Sequence, residues 1–220
     1  MSEKSKEVLN KMEDSGLVPV FNHPDSQVSK KVLDAAYASG IRVFEFTNRE
    51  SNALEVFEDL AKHAAQYEGF HLGIGTIFTS SEARRFMDVG ADFIVSPAFI
   101  PEVIQTCQDQ NVLAIPGCAT VTEVFHAKKS GAHLIKAFPG NLLGPAFIKA
   151  VLSVIPDVII MPTGGVEPTF DNLKGWFDAG VHCVGMGSQL FDKKVIQAQD
   201  YEALQQSILK ALQLVEKVKA

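Results

Sequence analysis

Short apolar runs rich in β-branched residues recur along this chain, and between them apolar positions return every three to four residues. The runs Leu17–Phe21, Arg42–Thr47, His71–Thr76, Phe93–Ser96, Val112–Ile115, His133–Phe138, Val158–Met161 and Cys183–Met186 read as strands buried on both faces. Val28–Ser39, Ala53–Gln66, Ser81–Val89, Val121–Lys129, Pro145–Leu152, Thr169–Ala179 and Tyr201–Val218 read as amphipathic helices. Gly40, Gly90, Gly131 and Gly180 each stand where a helix should stop before the next strand, and Asp25, Ser80 and Thr120 are placed to cap helix starts. The recurrent spacing, roughly 20–25 residues, is that of a βα unit. Eight strands alternating with eight helices, with no long linker, predict a single α/β domain over residues 1–220: a (β/α)8 TIM barrel with an extra N-terminal helix closing its bottom. A doubly wound open sheet is the competing arrangement.

Two positions break the apolar pattern. Lys136 lies inside His133-Leu134-Ile135-Lys136-Ala137-Phe138, and Glu45 inside Ile41-Arg42-Val43-Phe44-Glu45-Phe46-Thr47. A buried ammonium or carboxylate is costly unless it is paired or does chemistry. Side chains alternate along a strand, so Val43, Glu45, Thr47 and Arg49 share one face and Leu134, Lys136 and Phe138 share another. If both faces point inward, Glu45 and Lys136 meet inside the barrel, with Thr47, Arg49 and Phe138 at the mouth where such barrels carry their active sites. A lysine nucleophile beside a proton-moving carboxylate is the equipment for Schiff-base chemistry on a carbonyl compound. A structural ion pair is the alternative.

Composition narrows the partners. The chain has 220 residues, 46% hydrophobic and 21% charged, with a formal net charge of −6. This is the balance of a globular domain, and the absence of a basic run argues against nucleic acid. No apolar stretch reaches membrane-span length, and Met1–Glu7 is charged and leads into an amphipathic segment, so no membrane partner is expected. Cys107, Cys118 and Cys183 are far apart and read as reduced core thiols, which fits the cytoplasm. His23, His63, His71, His126, His133 and His182 have no metal-ligand spacing, and surface or capping roles account for them.

Glycines mark a second kind of site. Pro162-Thr163-Gly164-Gly165-Val166 follows the seventh strand and Gly185-Met186-Gly187-Ser188 the eighth. Loops seven and eight of such barrels are the usual phosphate site, because glycine lets backbone N–H groups approach an anion closely. Thr76, after Gly73-Ile74-Gly75, could hydrogen-bond a carboxylate, and Arg49 offers it a bidentate fork.

These segments, with Leu17-Val18-Pro19-Val20, Glu45–Arg49, Ser96-Pro97, Ile115-Pro116-Gly117 and Lys136-Ala137-Phe138-Pro139, resemble in order and spacing the 2-keto-3-deoxy-6-phosphogluconate aldolase family, which includes the 4-hydroxy-2-oxoglutarate aldolases. The resemblance runs from about Gly16 to about Phe191. It implies a homotrimeric class I aldolase, using no metal or other cofactor, that cleaves a 2-keto-4-hydroxy acid to pyruvate and either glyceraldehyde 3-phosphate or glyoxylate, as in the Entner–Doudoroff pathway. It also implies site roles: Lys136 as the Schiff-base lysine and Glu45 as general acid/base, Arg49 and Thr76 holding the pyruvate carboxylate, and Pro97 and Phe138 as apolar walls. Thr163, Gly164 and Gly165 would lie near the distal substrate, with Gly187 and Ser188 at its phosphate. Two segments depart from the family pattern. Val20-Phe21-Asn22-His23 stands where many members carry an arginine, and Ala137-Phe138-Pro139-Gly140-Asn141 replaces the commoner Phe-Phe-Pro-Ala-Glu. Alternatives are a galactonate-type aldolase of the same family, which differs in C4 stereochemistry, and a non-catalytic barrel that senses a phosphorylated keto acid.

Overall fold

Each apolar run forms one stave of a parallel ring, and each amphipathic stretch covers it from outside. The computed structural model describes all residues from Met1 to Ala220. The strands are β1 (Leu17–Phe21), β2 (Val43–Thr47), β3 (His71–Gly75), β4 (Phe93–Val95), β5 (Leu113–Ile115), β6 (Gly117–Cys118), β7 (Leu134–Ala137), β8 (Ile159–Pro162) and β9 (Val184–Met186). The helices are α1 (Glu3–Ser15), α2 (Ser26–Ala38), α3 (Ala53–Ala64), α4 (Ser80–Asp88), α5 (Pro101–Asp109), α6 (Val121–Lys129), α7 (Gly140–Val154), α8 (Phe170–Phe177), α9 (Lys193–Gln197) and α10 (Tyr201–Lys219).

The strands pair in the orders β5-β4-β3-β2-β1-β9 and β6-β7-β8. Two junctions close the ring. Pro116 separates β5 from β6 because it has no N–H for the ladder. Its carbonyl nonetheless accepts from Lys136 N at 2.9 Å, so the fifth stave continues past Ile115, where the sequence reading ended it. Between β8 and β9, His182 N donates to Ile160 O at 2.9 Å and Thr163 bridges Gly185. The barrel thus has eight stave positions, as predicted, and not an open doubly wound sheet.

Two apolar cores follow from strands buried on both faces. The outer core joins outward-facing residues such as Leu72, Ile94 and Ile160 to the helices, and takes in Trp176 and Leu204, Ile208, Ala211 and Val215 of α10. The inner core holds Val18, Val43, Phe93, Val95, Leu113, Ile115, Leu134, Met161 and Cys183, together with Val8, Leu9 and Met12 of α1. The N-terminal helix therefore plugs the barrel bottom. The predicted stop glycines all take positive φ, from 85° at Gly131 to 106° at Gly90.

Four local expectations need correction. The cap of α4 is Thr79 rather than Ser80, because only Thr79 stands three residues before Glu82 and completes a reciprocal capping box. The helix expected to begin at Pro145 begins at Gly140, with a break at Gly144 (φ 67°) that accommodates the proline. His71 is buried rather than on the surface, between Glu7 (3.5 Å) and Asp92 (3.7 Å) at the plugged end. The short helix α9, capped by the Asp192 side chain on Lys194 N, has no counterpart among the predicted elements.

Met12 is fully buried in the inner core. Met12→Ala should cost about 2–5 kcal/mol in urea unfolding. A loss under about 0.5 kcal/mol, the size expected of a surface substitution, would contradict a packed plug.

Candidate active site

The inward faces of β2 and β7 meet as parity requires. Lys136 Nζ donates to Glu45 Oε1 at 3.2 Å, with the two residues 5% and 0% exposed. Glycines on the neighbouring strand make the room. Gly75 lies beside Glu45, and a Cβ there would overlap Oε1; a Cβ on Gly73 would overlap the Phe93 ring. Lys136 Nζ also sits 5.5 Å from the centre of the Phe138 ring. Glu45 Oε2, Thr47 Oγ1 and Thr163 Oγ1 are buried with no hydrogen-bond partner. Buried polar atoms are normally satisfied, so three orphans on inward-facing strand ends mark a place meant for another molecule.

Above this pair opens a cavity of about 590 Å³. Its wall includes Thr47, Arg49, Phe138, Thr163, Gly164, Gly165, Gly187 and Ser188 among the residues named from sequence. Lys136 and Glu45 are not part of that wall. Thr76 and Pro97 are also outside it, at the ends of β3 and β4. Thr76 follows Gly75, beside Glu45, and adopts φ 66°, a strained conformation for a β-branched residue. The Pro97 backbone abuts Gly117, the register partner of Lys136.

The glycine loops are held rigidly. Gly140 N donates to Thr163 O at 2.8 Å, and Gly140 is close enough to Gly164 O to exclude a side chain. Asn172 of α8 pins the same loop, donating to Gly165 O at 3.0 Å and accepting from Glu167 N at 2.9 Å. The amides of Gly164, Gly165, Gly187 and Ser188 donate to no protein acceptor. Asn172 escaped the sequence reading, as did the α9 residues Lys193, Ile196 and Gln197 of the cavity wall. The aspartate cap before Lys193-Lys194-Val195-Ile196 was the available signal for α9.

No group of three or more histidine, cysteine, aspartate or glutamate side chains is arranged to hold a metal ion. No helix is long and apolar enough to cross a membrane. Burial pushes the Cys107 and Cys118 thiols up to about 12, so neither is a ready nucleophile.

The sequence profile described as "Aldolase: KDPG and KHG aldolase" matches residues 8–207. This chain belongs to that aldolase family. The chain is 38% identical to the 2-dehydro-3-deoxy-6-phosphogalactonate aldolase of Escherichia coli K12 over 121 residues, 54% of this chain and 58% of that one. It is 32% identical to the 2-dehydro-3-deoxy-phosphogluconate aldolase of Treponema pallidum, across 73% of this chain and 75% of that one. Among solved structures, the KDPG aldolase of Legionella pneumophila, with pyruvate captured as a covalent carbinolamine, superposes with a TM-score of 0.84 at 25% identity, covering 92% of this chain and 97% of that one. The aldolase assignment makes the protein a lyase.

In this aldolase the Gly75 gap sets the position of Glu45. Gly75→Ala should leave the barrel folded but push the carboxylate aside, lowering aldol turnover about 10²-fold. Turnover within about twofold of wild type, measured as pyruvate release, would show that the Glu45 position is not critical.

Proposed function

We propose that the protein is a class I aldolase that cleaves a phosphorylated 2-keto-4-hydroxy acid to pyruvate and an aldehyde. The observation carrying this reading is the buried Lys136–Glu45 contact, with Glu45 Oε2 unpartnered, next to a cavity lined by Thr47 and Thr163, whose buried hydroxyls also have no partner. Arg49 and Lys193 are the cations in the cavity wall, and no aspartate or glutamate lines it, although the chain carries a net charge of −6. This local reversal of sign fits a substrate with an anion at each end.

The Lys136 amine attacks the C2 ketone, forming a C–N bond and a carbinolamine. Loss of water then gives the iminium. Arg49 and Thr76 hold the C1 carboxylate, while Pro97 and Phe138 bound the carbon chain. Glu45, through one water, takes the C4 hydroxyl proton as the C3–C4 bond breaks. The bonding pair flows into the iminium, giving an enamine, and the aldehyde departs. Glu45 returns the proton to C3, and water hydrolyses the pyruvyl iminium to pyruvate and free Lys136. Thr47 and Thr163 hydroxyls supply hydrogen bonds near the reacting carbons. The amides of Gly164, Gly165, Gly187 and Ser188 receive the distal phosphate.

Relatives of both types align at about the same identity over most of the chain, 30% for a galactonate-type and 32% for a gluconate-type enzyme, so both C4 epimers are to be assayed. Glyceraldehyde 3-phosphate is the expected aldehyde, because the cavity wall offers glycine-loop amides without protein acceptors, which suit a phosphate. We also propose a cytoplasmic homotrimer. Phe78, Val121, Phe125 and Leu142 are exposed around the starts of α4, α6 and α7, on the strand-C-terminal side of the barrel, and support a self-associating face. Light scattering should give three chain masses; a monomer at working concentration would contradict the trimer.

Lys136→Met keeps the length of the side chain but removes the amine. It should retain a cooperative thermal transition and lose cleavage by at least about 10⁴-fold. Glu45→Gln should lower turnover about 10²–10⁴-fold, the range of general acid–base contributions, while still forming the imine with pyruvate. Near-normal cleavage by folded Lys136→Met would overturn the Schiff-base reading.

A further inference from the structure

The cavity is asymmetric in a way the sequence did not reveal. On one side its wall is formed by Thr47 and Arg49 of the β2 segment and Phe138 after β7, the strands that carry Glu45 and Lys136. The other end is walled by the β9–α9 segment: Gly187, Ser188, Gln189, Phe191 and Lys193, then Ile196 and Gln197. Phe191 and Ile196 are buried, and the Phe191 ring lies 4.9 Å from that of Phe21 at the end of β1. The segment bearing Lys193 is therefore anchored on both sides. Neither Arg49 nor Lys193 is among the ion pairs of the chain. An exposed lysine without a partner is ordinary, but this one borders the cavity beside two backbone amides that also lack acceptors.

The first-strand side of the same end offers no fixed cation. Asn22 Nδ2 donates to Glu50 Oε1 at 3.2 Å, engaging one of its two N–H donors, and carries no charge. His23 Nδ1 accepts from Asp25 N at 3.1 Å, and its ring stacks on Phe21 with planes 2° apart. This ring supplies at most one neutral N–H donor, from Nε2, when it is uncharged. Besides Arg49, the lysine or arginine side chain in the cavity wall is Lys193 of α9.

We infer that Lys193 is the distal-anion cation of this enzyme, binding the substrate phosphate together with the Gly187 and Ser188 amides and so setting the preference for phosphorylated over unphosphorylated substrate. The inference rests on the class I aldolase reading above. The lysine is a compact point charge on a flexible stem, suited to a phosphate that also accepts from a rigid amide nest. Its contribution is to binding, and the bond-breaking step proceeds at Lys136.

The test compares wild type, Lys193→Gln and Lys193→Arg on 2-keto-3-deoxy-6-phosphogluconate and on the same acid without its phosphate, each as both C4 epimers. In Lys193→Gln the ratio of kcat/KM for the phosphorylated to the unphosphorylated substrate should fall at least about 10-fold, carried by KM rather than kcat. Lys193→Arg should recover most of that ratio. Added salt should raise the KM for the phosphorylated substrate less steeply in Lys193→Gln than in wild type. An unchanged ratio in a folded variant, or equal losses on both substrates, overturns the role of Lys193 while leaving the aldolase reading intact. Wild-type protein that cleaves neither substrate overturns the proposed function, and with it the premise of this inference.

Discussion

A lysine and a glutamate buried together inside a barrel constrain everything around them. Removing both charges from water costs several kcal/mol per ion, and a 3.2 Å contact through a single carboxylate oxygen recovers only part of it. The second oxygen of Glu45 has no partner at all. Apolar residues would fill the same space at lower cost, so the pair is explained by chemistry rather than by stability. The scaffold supports it accordingly. Gly75 clears the space beside the carboxylate, the inner apolar layer lies beneath, and α1 seals the bottom against water.

The two ends of the cavity divide the work. The side near β2 and β7 carries Arg49 above the buried Lys136–Glu45 pair, which suits the short keto acid proposed. The end near β8, β9 and α9 supplies free amides and Lys193. Asn172 ties the first glycine loop to α8, and Phe191 ties the second segment to β1, so both are held in place before substrate arrives. A protein of net negative charge thus has a cavity wall whose lysine and arginine side chains face no aspartate or glutamate of the same wall, which suits the anionic substrate proposed for it.

Much of this was legible in the sequence. Buried parallel strands are apolar almost throughout, so an ionic residue within one stands out, and strand parity alone puts Glu45 and Lys136 on facing sides. Stop glycines were readable because positive φ leaves few alternatives. Less legible were features that depend on a neighbouring segment. Pro116 masked the continuation of the fifth stave, which is defined by its hydrogen bond from Lys136 N. His71 looked like a strand-start surface residue because Glu7 and Asp92, its partners, are distant in sequence. The helix α9 has five residues, too few for a periodic signal, and its contribution to the cavity appears only once β9 has joined β1.

The central claim is that Lys136 carries the substrate as an imine. The direct test is to incubate the protein with pyruvate, reduce with borohydride, and map the adduct by mass spectrometry. The account predicts a pyruvyl mass increment on the peptide containing Lys136 and on no other lysine peptide. A folded protein that turns over substrate yet yields no adduct, or one on a different lysine, would contradict it.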